Sequence, residues 1–122
     1  MLGEIDSHAI LAVSDLERAR QFYIETLGLT QVRGDAHVLT LRTGSSQVVI
    51  YVSDYAGTNQ ANALVWGVGD MLAPIVASLR AKGVVFEHYP GMTRDGDIHM
   101  AGDWRGAWFK DPDGNILHLT NI

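Results

Sequence analysis

An internal repeat constrains this chain more than any other feature. Val13-Ser14-Asp15-Leu16 opens a helical pattern that closes at Gly28, and Val68-Gly69-Asp70-Met71 opens another that closes at Gly83. Both Asp-to-Gly spacings are 13 residues, and the copies are offset by 55. Repeat arrays need three or more stacked units. Two copies in 122 residues predict one domain, 1–122, with an internal pseudo-twofold and modules at about 5–55 and 61–122.

Each copy starts with a short apolar run of strand type, His8–Val13 and Ala63–Val68. A helix follows. Ser14 and Glu17 have capping-box spacing, and Leu16, Ala19, Phe22, Tyr23 and Leu27 form an apolar stripe. In the second helix Asp70 is the expected cap, and Leu72, Ile75, Val76 and Leu79 form the stripe. The pattern then changes to period two. It predicts strands near Thr30–Arg33, Ala36–Arg42 and Gln47–Ser53 in the first copy, and near Val84–His88, Gly102–Phe109 and Asn115–Thr120 in the second. The order strand, helix, strand, strand, strand predicts an α+β fold with helices on one face of a mixed sheet. The glycine- and methionine-rich stretch 91–102 reads as a mobile loop, either a lid or a dimer contact. Asp111-Pro112-Asp113-Gly114 reads as a turn without chemistry.

Composition narrows the function classes. Lys and Arg number 9 against 14 Asp and Glu, a net charge of −5. No basic stretch is long enough to track a phosphate backbone, so nucleic acid is not an expected partner. Cysteine is absent, which excludes disulfides, thiolate ligands and cysteine nucleophiles. The longest apolar run, Ala63–Gly69, is too short to cross a bilayer, and no export signal is visible at the N-terminus. A cytoplasmic location with no membrane partner is therefore the default expectation.

Strand parity places the candidate site. With Ala9, Leu11 and Val13, Val48, Ile50 and Val52, Leu64, Trp66 and Val68, and Leu117 and Leu119 turned to the core, His8, Tyr51, Ala63 and His118 share the other face. A sheet face free of helices makes a cleft suited to a ligand. Trp104 and Trp108 bracket Arg105. Their parity is open, because Gly106 is a potential bulge. Either tryptophan is a candidate wall for an aromatic ligand, and Arg105 a candidate for a carboxylate or phosphate, the alternative being a surface arginine stacked on tryptophan. His37 and His88 read as exposed strand residues.

These segments carry a resemblance. His8 to Leu16, Phe22-Tyr23, Leu27-Gly28-Leu29 and the closing run Ala107 to His118 resemble the vicinal oxygen chelate superfamily, which contains glyoxalase I, bleomycin- and fosfomycin-resistance proteins and extradiol dioxygenases. The resemblance implies two βαβββ modules forming a curved mixed sheet, and a homodimer with cupped sites. It also implies metal-ligand positions at His8, Tyr51, Ala63 and His118. Alanine cannot ligate, tyrosine stands where a carboxylate is usual, and histidine stands where glutamate is usual. Two good ligands of four remain, fewer than the three or so that a catalytic metal needs. A third would have to come from the loop region, such as His99 or Asp103, or from a partner chain, and no spacing points to it.

The expected function is therefore that of a small-molecule binding protein of the glyoxalase/bleomycin-resistance kind without a complete metal site. Tyr51, Trp104, Arg105, Trp108 and His99 are its candidate ligand contacts. The alternative is a glyoxalase-like lyase, isomerase or dioxygenase. It would use Zn, Ni, Mn or Fe on His8 and His118, or acid–base chemistry by His8, His118 and Tyr51. A third reading is an interaction module with a vestigial cleft.

Overall fold

A computed structural model describes all residues, Met1–Ile122. The chain is α+β and divides into two compact units, Met1–Thr58 and Asn59–Ile122.

The first unit runs β1 (Ala9–Val13), α1 (Leu16–Arg20), β2 (Thr30–Gly34), β3 (Val38–Thr43) and β4 (Ser46–Val52). Its sheet has the order β1-β4-β3-β2, with β1 parallel to β4 and the other pairs antiparallel. The helix begins at Asp15, whose side chain accepts from the Arg18 N–H at 3.0 Å. This corrects the expected Ser14/Glu17 capping box, because the cap is Asp15 and not Ser14, whose Oγ accepts from the Arg18 guanidinium. Beyond Arg20 the helix widens into a π-turn over Gln21–Thr26, where Leu27 N–H reaches back five residues to the Phe22 carbonyl. Leu11, Val13, Ala19, Tyr23, Leu39, Leu41, Val48 and Ile50 are buried together as the core. Val52 was expected among them, but it is 44% exposed because it ends the last strand.

The second unit repeats the plan. It runs β5 (Asn62–Gly67), α2 (Leu72–Ala81), β6 (Phe86–Glu87), β7 (Thr93–Asp95), β8 (Ile98–Ala101), β9 (Trp104–Lys110) and β10 (Ile116–Thr120). Again the first strand lies parallel to the last, β5 to β10, and β9 runs antiparallel beside β10. Asp70 is not the cap. It lies within a short 3-10 turn, Gly69–Met71, and α2 starts from Met71 without a side-chain cap. Both helices end where predicted, with Gly28 at φ +84 and Gly83 at φ +93 supplying the left-handed closing residue.

Residues 91–102 are not a loop. They hold the hairpin β7–β8, which turns at Gly96-Asp97 and extends the sheet from β9. Strand β9 thus has two neighbours end to end: β8 beside Trp104–Gly106 and β6 beside Trp108–Phe109. Asp97 ties the hairpin down. One of its oxygens accepts from Arg80 Nε at 3.0 Å, and the other lies 2.7 Å from His88 Nε2. His88 is exposed, as expected, but lies just past β6 and hydrogen-bonds Asp97. Leu72, Val76, Leu79, Val84, Phe86, Ala107, Phe109, Leu117 and Leu119 form the core, while Trp66 is only half-buried. No helix is long and apolar enough to cross a membrane.

Candidate functional site

Strand alternation separates the second sheet into two chemically distinct faces. The core face takes Ala107 and Phe109 of β9 and Leu117 and Leu119 of β10. The opposite face takes Trp104, Gly106 and Trp108 of β9, with His118 of β10 directly across from Trp108 and His99 of β8 directly across from Gly106. There is no bulge in β9, so the two tryptophans share one parity.

The rings on this face form a continuous cluster. His118 stacks on Trp108, with centroids 4.4 Å apart and planes 15° from parallel. Trp104 lies 6.0 Å from His118 and 5.7 Å from Trp108. His99 and Tyr89 each meet Trp108 edge to face, at 4.9 and 5.1 Å. Glycine at 106 is what lets these rings close up. A Cβ there would come within 2.6 Å of Trp104 Cη2 and 2.8 Å of His118 Cε1. Tyr89 has no signal in the sequence beyond its type. It joins the cluster because β6 pairs Glu87 with Trp108 and delivers the following residues beside it.

Backbone hydrogen bonds orient both histidines. His118 is buried, and its Nδ1–H donates to the Ala107 carbonyl at 3.0 Å, which leaves the Nε2 lone pair uncommitted. Desolvation lowers its pKa, the Ala107 bond opposes this, and His99 adds to the lowering. His99 is fully buried, and its Nε2 accepts from the Tyr89 backbone N–H at 3.0 Å. Its proton therefore sits on Nδ1, which has no hydrogen-bond partner. Burial, and then the charge of Arg94, push its pKa down. His99 thus lies beneath the ring cluster rather than in a mobile loop.

Arg105 is on the other face. Neighbours along a strand point opposite ways, so it cannot share a wall with Trp104 and Trp108. Its Nη1 donates to the carbonyls of Gly102 at 2.6 Å and Trp104 at 2.8 Å, and it is not stacked on either tryptophan.

In the first unit Tyr51 is half-buried, across from Ala12 of β1 and Val38 of β3. His8 is exposed and precedes β1 by one residue. Because Ala9 pairs with Val48, the ladder extended backwards brings His8 to Gln47. That is four residues from Tyr51, or roughly 13 Å of strand.

The registers also correct the pairing of the two modules. His118 lies across from Val65, and Val65 is the repeat counterpart of Ile10, whose partner in β4 is Val49. Val49, not Tyr51, therefore stands at the position equivalent to His118. Ala63 has no partner at all: the ladder passes from Ile116–Asn62 to Leu117–Leu64, which leaves it in a bulge.

These positions do not fit a divalent metal. The strand neighbours of His118 on its own face are Val65 and Trp108, and no group of three or more His, Cys, Asp or Glu gathers as a ligand set. A divalent ion wants about three donors with compensating charge. Here the donors around His118 are replaced by an isopropyl group and indole rings.

Comparison with known proteins agrees with this architecture. The chain is 27% identical over 126 residues to a protein of Vibrio cholerae named probable lactoylglutathione lyase, covering 92% of this chain and 86% of that one. It superposes on a glyoxalase family protein from Enterococcus faecalis with a TM-score of 0.75 at 24% identity, covering 98% and 99% of the two chains. It superposes equally on the fosfomycin resistance protein FosX from Listeria monocytogenes, TM-score 0.75 at 16% identity, covering 94% and 90%. At those identities the structural likeness establishes the fold. Residues 7–119 match the family model, and the chain belongs to the Glyoxalase/Bleomycin resistance protein/Dioxygenase superfamily.

Proposed function

We propose that the protein is a metal-independent small-molecule binder whose ligand is planar and aromatic, held against the ring face of the second unit. The observation that carries this reading is the stack of His118 on Trp108, extended by Trp104, at the strand position where a metal-using relative would need a ligand. Indole and imidazole faces offer large, rigid, desolvated area at little cost in side-chain entropy. The net charge of −5 favours cationic ligands by steering them to the surface. The proposed assembly is a homodimer, which light scattering checks.

The test is calorimetric titration with bleomycin and with a simple planar cation such as N-methylquinolinium, each with and without EDTA. Saturable binding that ignores the chelator supports the reading. Binding that EDTA abolishes, or no saturable binding by either probe, overturns it.

A second reading follows from the His118 tautomer. With Nδ1–H anchored on Ala107, the free lone pair of Nε2 suits a general base, and desolvation favours the unprotonated ring. The name of the Vibrio cholerae relative suggests the assay: formation of lactoylglutathione in the presence of EDTA. Turnover that disappears in His118→Gln favours this reading. Binding without turnover favours the first.

A further inference from the structure

The core face of the second sheet carries an open concavity, separate from the rings. Pairing of Met100 with Arg105 and of Asp95 with Ile98 turns these four side chains to that face, opposite His99, Trp104 and Trp108. Together with Asp70 and Leu72 at the start of α2 they line a cavity of about 280 Å³. That volume corresponds to about nine water molecules at about 30 Å³ each, the size of a small metabolite.

The concavity is lined by both signs of charge. Arg105 is held by Nη1 alone, through the carbonyls of Gly102 and Trp104, so Nε and Nη2 remain free to donate. Asp70 and Asp95 line the same space, yet no salt bridge forms between either of them and Arg105. Both carboxylates are exposed to solvent and Arg105 is half-buried, so both signs of charge stay accessible to a ligand from the open side. A phosphate would be opposed by two carboxylates, and a simple cation by the guanidinium. Leu72, Ile98 and Met100 supply an apolar wall between the poles.

We propose that this cavity binds a free α-amino acid with an apolar side chain, its carboxylate on Arg105 and its ammonium on Asp70 and Asp95. The guanidinium fork suits a carboxylate, and two acceptor carboxylates suit an ammonium with three donors. The site is independent of the ring face, because it lies on the other side of β8 and β9.

The test is an NMR amide-shift titration of the full chain with L-leucine and L-methionine, repeated with N-acetyl-leucine and leucine amide. Saturable shifts around Asp70, Asp95 and Arg105 are expected with the free amino acids. Blocking either charged end should weaken binding by about tenfold or more, equivalent to about 1.4 kcal/mol. The D70N/D95N double variant touches no hydrogen bond of the fold and should lose the same factor at unchanged melting temperature. R105K should retain part of the affinity and R105Q none. Absence of saturable shifts with both amino acids, or equal binding of the blocked analogues, would overturn the proposal.

Discussion

His118 and Trp108 face one another across the β9–β10 ladder with their rings parallel to within 15° and 4.4 Å apart. Cross-strand neighbours on one face are the natural unit of contact in a sheet, and this pair makes an aromatic step on which the other rings are arranged. If the step is the ligand platform, Trp108→Ala should weaken binding of a planar probe by about tenfold, within the range of an aromatic pair plus its lost area. Trp108→Phe should keep most of the affinity. Calorimetry reads both without relying on tryptophan emission, and equal affinity of Trp108→Ala and wild type would dismiss the platform.

Gly106→Ala tests how tightly the rings are assembled. The added methyl would collide with the indole of Trp104 and with His118 Cε1, and the strand it sits on is hydrogen-bonded on both sides. We expect a loss of about 1–3 kcal/mol in denaturant unfolding, the cost of overpacking, together with weaker ligand binding. Wild-type stability and affinity in this variant would mean that the rings move apart freely.

Acid should destabilise the fold in the histidine range. His118 and His99 both have lowered pKa values, chiefly through desolvation. In the unfolded chain they protonate near pH 6.5; in the folded chain they resist protonation until the pH is lower. Below about 6.5 the unfolded state therefore binds more protons, so stability rises with pH through that window and levels off above it. Urea midpoints between pH 5 and 7.5 should show this slope, and His118→Gln should flatten part of it. A slope of opposite sign would contradict the neutral tautomers.

The hairpin anchor has its own acid limb. The Asp97 carboxyl is held below the usual carboxylate range, first by its bond to His88 and then by Arg80, against desolvation. Its stabilising effect is present above about pH 4 and is lost as pH falls through the folded value. Asp97→Asn should cost about 1 kcal/mol at neutral pH, modest because Arg80 is largely exposed. Hydrogen exchange should quicken at residues 93–101 more than in the core strands, and uniform quickening would show that the anchor is not local.

Much of this was legible in the chain. Helical stripes and their closing glycines located both helices, because apolar periodicity reports a buried face directly. The hairpin β7–β8 was hidden, since its strands are three and four residues long and carry Arg94 and His99 where alternation would favour apolar residues. Helix caps slipped by a residue or were lost, because Ser14 and Asp15 are both good caps and only backbone geometry chooses between them. The largest shift was in register. The 55-residue offset relates the two opening strands, but the inserted hairpin breaks it before β10. Nothing in the residues themselves tells that Val49, rather than Tyr51, is the counterpart of His118. The side of Arg105 relative to the tryptophans is open in the sequence for a similar reason, as parity in β9 stays undetermined until Gly106 is known to lie flat in the ladder.

Strand β8 is a partition with a different lining on each side. His99 props the Trp108 indole from one flank, while Ile98 and Met100 panel the concavity on the other, and three consecutive residues do both jobs. Excising this short stretch would therefore strip side chains from both faces at once, although each face keeps a lining of its own.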